Sequence, residues 1–150
     1  MTDMELLSLA EEARARAYAP YSGYRVGAAV LCADGRVYTG ANIENASYGA
    51  CLCAERAALA CAVSDGNREI IRLAVAASGA GTCTPCGICR QVIVELAPES
   101  RVICGRREKP ENAPDSPGQN DESAALEPVV FSIRELLPAA FDGDRLISGS

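Results

Sequence analysis

Two short stretches, "CLCAERA" at 51–57 and "PCGICRQ" at 85–91, bring thiols, a carboxylate and a guanidinium into small compass. Thiolates bind metal and attack electrophiles, and a carboxylate can carry protons. The spacing limits how these groups can meet. Cys53 and Glu55 are two apart, which inside a helix would set them on opposite sides, so they converge only if the helix begins between them. Cys86 and Cys89 are three apart just after Pro85, which fits one face of a first helical turn. Two helix N-termini would then aim three thiols at one point, and the partial positive charge of each favours the thiolate. Three thiolates on a tetrahedral zinc leave one position for water, the arrangement of a catalytic site, and Glu55 would stand beside that water. Arg56 can hydrogen-bond a thiolate sulfur and draw its charge back.

Simpler readings compete. A lone CxxC suits a redox dithiol or half of a structural zinc site. Cys51 or Cys83 could close the zinc shell as a fourth ligand, giving a non-catalytic binding module. Cys32, Cys61 and Cys104 fall in strand or helix interiors and read as small core residues.

Composition narrows the chemistry. The chain has 150 residues, enough for one domain with a real core. Its histidine count is 0, which removes Ser-His-Asp and Cys-His nucleophiles and every histidine-bearing zinc motif. A metal would have to sit on thiolates or carboxylates. The net charge of -6 and the lack of a basic stripe argue against nucleic acid and for a small-molecule partner. No apolar run is long enough to span a bilayer, and the N-terminus lacks the order of a secretory signal. With eight cysteines, the reading is a cytoplasmic protein whose thiols serve metal or redox chemistry.

The elements that would carry these groups follow from pattern. "MTDMELLSLAEEARARAYA" opens with a Thr2–Glu5 capping box and should dock through Leu6, Leu9, Ala10, Ala13 and Ala17. "YRVGAAVLCADGRVYTGANI" gives two strands around an Asp34-Gly35 turn, the first apolar on both faces and so central. Helices are expected from Ala54 to Gly66 and from Cys86 to before Pro98, with strands at "IIRLAVAA", "RVIC" and "PVVF". Ser132 and Glu135 repeat the capping box. Residues 106–127 are proline-rich and carry three basic and six acidic groups, which reads as a loosely held insertion. Strands alternating with helices predict an α/β three-layer sandwich, a mixed sheet with helices on both faces.

At this point the chain resembles the small, homotetrameric, zinc-dependent cytidine deaminases. The likeness runs from "YAPYSGYRVGAAV" through "GANIENASYG", "CAERAAL" and "PCGICRQ" to "ELLPAAF". The pairing of CAE with PCxxCRQ marks the broader zinc deaminase group, and "NIENASYG" narrows the resemblance to enzymes of free nucleosides. It implies a five-stranded sheet, one zinc per chain on Cys53, Cys86 and Cys89, and Glu55 as proton shuttle in the deamination of cytidine or deoxycytidine, a step of pyrimidine salvage. It further implies sugar binding by Asn42 and Glu44, and substrate contacts from Tyr24 and Ala54. Ala46, Tyr48 and Phe141 would complete pockets across subunit boundaries. The nearest alternative is a deaminase of a cytosine nucleoside antibiotic, against which "NIENASYG" speaks. Two features depart from the family pattern. Tyr24 stands where phenylalanine is usual and adds a hydroxyl that needs a partner, and residues 106–127 replace a tight connection.

Overall fold

The computed structural model describes residues 1–108, 124–141 and 143. Ten elements follow one another: α1 (Asp3–Arg14), β1 (Val26–Cys32), β2 (Val37–Ala41), α2 (Ala54–Ser64), β3 (Ile70–Ala77), β4 (Gly81–Thr82), α3 (Gly87–Leu96), β5 (Arg101–Arg107), β6 (Leu126–Ser132) and α4 (Ile133–Leu136). The expected helix starts are present as written. Thr2 and Ser132 each accept from the backbone N–H three residues on, and Glu5 and Glu135 reach back to the cap N–H groups.

The strands form one mixed sheet. β1 lies between β2 and β3, antiparallel to both, while β3 and β5 are parallel and β6 runs antiparallel to β5. The expected count of five holds for the long strands, ordered β2-β1-β3-β5-β6. A sixth, β4, consists of two residues paired to Arg106 and Arg107. Since β6 also pairs these residues, β4 must occupy the other side of β5, beyond the point where β3 leaves it.

Side chains of each strand alternate between two cores. Ala28, Val30, Leu73, Val75, Val102 and Cys104 pack under α2, α3 and α4, whereas Ala29, Leu31, Ala74, Ala76 and Ile103 pack under α1. These are the three layers. Within α1 the structure buries Leu7 in place of the expected Leu9, which is only partly covered. Room for Leu7 comes from Gly105, whose absent Cβ would stand 3.3 Å from Leu7 Cδ1.

Two expectations need correction. Cys61 is exposed on α2, since its helical position faces away from the sheet, so it is not a core residue as Cys32 and Cys104 are. The insertion is shorter than 106–127: Arg106 and Arg107 belong to β5 and Leu126 and Glu127 to β6, because cross-strand pairing overrides their polar composition. The expected looseness of its centre lies outside the described residues.

Glycine sets how closely the helices approach. A Cβ at Gly40 of β2 would stand 2.5 Å from Ala58 N and 2.6 Å from Ala54 O, so α2 rests directly on the β2 backbone. A Cβ at Gly27 of β1 would stand 2.1 Å from Ala10 O of α1, on the opposite face. Gly40→Ala and Gly27→Ala should each cost about 2 kcal/mol from overpacking, lowering the melting temperature by about 4–8 °C. Only Gly40→Ala displaces the start of α2. It alone should weaken zinc retention in a chelator competition, and equal retention in the two variants would refute this placement.

Candidate active site

The helix begins between Cys53 and Glu55, as their convergence requires. Cys53 is the N-cap of α2 in extended conformation, and Cys86 takes the same position on α3 with Cys89 in the turn that follows. The sulfurs of Cys53, Cys86 and Cys89 all lie within 4.8 Å of one another, and Cys53 Sγ is 3.7 Å from Cys86 Sγ. Sulfurs at about 2.3 Å from a tetrahedral zinc stand about 3.8 Å apart. The triad therefore fits zinc in size, donor type and count.

Its electrostatics also call for a cation. Hydrogen bonding from the Cys89 thiol, then from Arg56, lowers the Cys53 thiol well below the ordinary range, while the Cys53 sulfur and burial raise Cys89. Without a cation, one thiolate is stabilised at its neighbour's expense. Arg56 Nη2 donates to Cys51 O at 2.9 Å and lies 3.9 Å from Cys53 Sγ. Its Nε is buried with no hydrogen-bond partner among the described residues.

Glu55 is 4% exposed, and burial, then the charge of Cys53, raises its carboxyl pKa. It faces a cavity of about 260 Å³. Cys53, Cys86 and Ala54 line the same cavity, as do Tyr24, Asn42 and Glu44 from the β1 and β2 ends. Cys51 and Cys83 also touch it but stand outside the triad. Cys51 Sγ is engaged with the backbone of Asn45. Cys83 supplies the partner that the Tyr24 hydroxyl needs, at 3.9 Å, and burial pushes its own thiol up to about 12. The same burial raises Tyr24.

Asn42 and Glu44 are held by protein contacts. Asn42 Oδ1 accepts from Val26 N at 2.8 Å and Nδ2 donates to Tyr24 O at 2.9 Å. The Glu44 carboxylate accepts from Tyr21 N at 2.8 Å, from Ser22 N at 3.2 Å and from the Ser22 hydroxyl. The Ser22 bond is the first cause of a lowered Glu44 pKa. Sequence reasoning missed Ser22. Its only signal is the "YSGY" turn, where Gly23 at φ +67° permits a reversal that side-chain-bearing residues resist.

Three expected site residues lie apart from this cavity. Ala46 and Tyr48 are exposed, Tyr48 at 77%, and Tyr48 lines a neighbouring hollow of about 230 Å³ that shares Glu44 and Cys51. Phe141 is 59% exposed, with its carbonyl accepting from Gln91 Nε2 at 2.8 Å.

Known proteins are similar to this chain in sequence and in fold. Residues 1–106 match the family described as the cytidine and deoxycytidylate deaminase zinc-binding region. A cytidine deaminase of Halalkalibacterium halodurans is 43% identical over 93% of either chain. The crystal structure of cytidine deaminase from Burkholderia pseudomallei superposes with a TM-score of 0.77 at 40% identity, covering 94% of this chain and 100% of that one. Cytidine deaminase from Mycobacterium tuberculosis gives a TM-score of 0.71 at 37% identity, with 94% and 98% covered. With its three-cysteine cluster in place, this chain belongs to the cytidine and deoxycytidylate deaminase zinc-binding family.

Proposed function

We propose that the protein is a cytidine deaminase, converting cytidine or deoxycytidine and water to the uracil nucleoside and ammonia. The observation that carries this reading is the buried carboxylate of Glu55 in one cavity with two of the three clustered thiols and with Asn42 and Glu44. Cys53, Cys86 and Cys89 would hold one zinc, which when bound supplies a Lewis acid that activates water.

Glu55 then moves protons. It accepts one from the attacking water, gives it to the ring nitrogen beside the reacting carbon, and delivers the second to the departing amine. A C–O bond forms, a C–N bond breaks with its electron pair leaving on ammonia, and no atom changes oxidation state. Arg56, beside Cys53, tempers the charge of the thiolate shell. Tyr24 and Ala54 supply wall surface against the base.

The sugar end follows from counting donors and acceptors. After its two backbone bonds, Asn42 keeps one N–H and one lone pair, and Glu44 keeps one of about four acceptor sites. That remainder suits a sugar hydroxyl. Among the described residues no lysine or arginine lines the cavity, which favours a free nucleoside over a nucleotide.

At about 260 Å³ the cavity falls just under the usual range of about 300–1,000 Å³ for small-molecule sites. The exposure of Ala46, Tyr48 and Phe141 supports a homotetramer in which neighbours supply the missing wall. Eight free thiols suit the reducing cytoplasm. Among the described residues no helix is long and apolar enough to cross a membrane.

Loss of cytidine's ultraviolet absorbance in the presence of purified protein tests the activity directly. Glu55→Gln should keep one zinc per chain while turnover falls about 100- to 10,000-fold, and loss of zinc in that variant would make Glu55 a ligand. Cys86→Ser or Cys89→Ser should lose zinc, whereas Cys51→Ser should keep both zinc and activity. Zinc loss from Cys51→Ser would establish a closed structural shell.

Glu44→Gln should weaken nucleosides by about 1.5–3 kcal/mol, a tenfold or greater rise in KM, and leave affinity for the free base almost unchanged. Equal weakening of cytidine and cytosine would remove Glu44 from the sugar site. Asn42→Ala gives a less direct test, because it also strips two backbone bonds at the start of β1.

A further inference from the structure

Glu44 sits in a loop, and a carboxylate on a loop points usefully only if something holds it. In this chain the holding group is a serine more than twenty residues away. Ser22 donates its hydroxyl to one carboxylate oxygen of Glu44 and its backbone N–H to the other. The same hydroxyl oxygen accepts from Tyr24 N at 2.9 Å. Tyr24 in turn gives its carbonyl to Asn42 Nδ2. A closed circuit results: Glu44 to Ser22, Ser22 to Tyr24, Tyr24 to Asn42, and Asn42 back along two residues of chain to Glu44.

The circuit has little slack. Gly23, with φ +67°, folds residues 22–24 so that the Ser22 hydroxyl meets Tyr24 N, and Gly23 N donates to Ala19 O at 3.0 Å. Tyr18 pairs with Ile43 through Tyr18 N to Asn42 O at 2.9 Å and Glu44 N to Tyr18 O at 2.8 Å. Both backbone segments are therefore fixed. The Tyr21 and Ser22 backbone N–H groups hold one carboxylate oxygen, and the Ser22 hydroxyl holds the other, its only proton spent on Glu44 and a lone pair spent on Tyr24.

We propose that Ser22 is a positioning residue for the sugar end of the site, presenting the Glu44 carboxylate and tying it to the segment that carries the Tyr24 ring. This rests on the reading that Glu44 takes a sugar hydroxyl. Ser22 touches no reacting atom. Its effect appears in binding that depends on the sugar hydroxyls, and not in the chemical step.

Ser22→Ala and Ser22→Thr test this, with zinc content and melting temperature recorded for each. Kinetics are measured on cytidine, and 2′,3′-dideoxycytidine, which lacks the hydroxyls in question, is measured as a competitor. Ser22→Ala should raise the KM for cytidine about tenfold, the value of one charge-assisted hydrogen bond. It should change kcat and the inhibition constant of the dideoxynucleoside less than about twofold. Ser22→Thr restores the hydroxyl and should return the KM to within about threefold of the parent. Equal weakening of cytidine and dideoxycytidine by Ser22→Ala, or a fall in kcat at unchanged KM, would overturn the proposal. Glu44→Gln is run in parallel. If it weakens both ligands equally, the sugar-site reading itself is lost, and if it is selective while Ser22→Ala is not, only the role of Ser22 is lost.

Discussion

Three thiols and a carboxylate gathered in one small volume repel one another as they ionise, and the fold must hold them there regardless. Two helix starts do this. Cys53 and Cys86 occupy matching N-cap positions, so the unpaired N–H groups of α2 and α3 offset negative charge where it accumulates. Neither N-cap sulfur spends itself on capping its own helix, which leaves both free for a metal. The guanidinium of Arg56 adds a full positive charge from the first turn of α2. The position of α2 follows in turn from the bare backbone of Gly40 beneath it, so a site built on charge depends on the close packing of an uncharged contact.

The two ends of the cavity are made differently. Its metal end stands on helix termini seated over the sheet, while the end lined by Asn42 and Glu44 stands on two loops joined by the Tyr18–Ile43–Leu52 bridges. Side-chain bonds add precision to these loops, and Asn42, Glu44 and Ser22 spend half or more of their hydrogen-bonding capacity on the protein itself. Such residues have two roles at once, bracing the wall and leaving a remainder for a ligand.

Much of this could be read from the sequence where the physics is local. A helix start between Cys53 and Glu55, both capping boxes and the central position of β1 follow from spacing, side-chain chemistry and apolar pattern over a few residues. What escaped depends on distant partners. Ser22 gains its meaning only beside Glu44, and Tyr24 finds its hydroxyl partner in Cys83, 59 residues on. β4 is two residues with no strand signal, created by the free edge that β3 leaves on β5. Cys61 was misread because a helix interior along the chain is not an interior in space. Polar composition hid the ends of β5 and β6, whose pairing supplies regularity that no propensity at Arg106 or Glu127 announces.

Arg107 is 7% exposed, and its guanidinium reaches Glu11 of α1 at 2.6 Å and Ala124 O at 2.8 Å. One residue earlier, Arg106 pairs with Glu127 at 2.7 Å across the same two strands. The chain thus leaves β5 and enters β6 through a single cross-braced frame. Mechanically, that frame acts as a strain relief: tension arising between its two ends is borne by α1 and the strand pair before it can alter the register of β5. A pull on the chain at Arg107 or at Leu126 therefore meets ion pairs beside α1, whereas the cavity lies at the starts of α2 and α3 on the other face of the sheet.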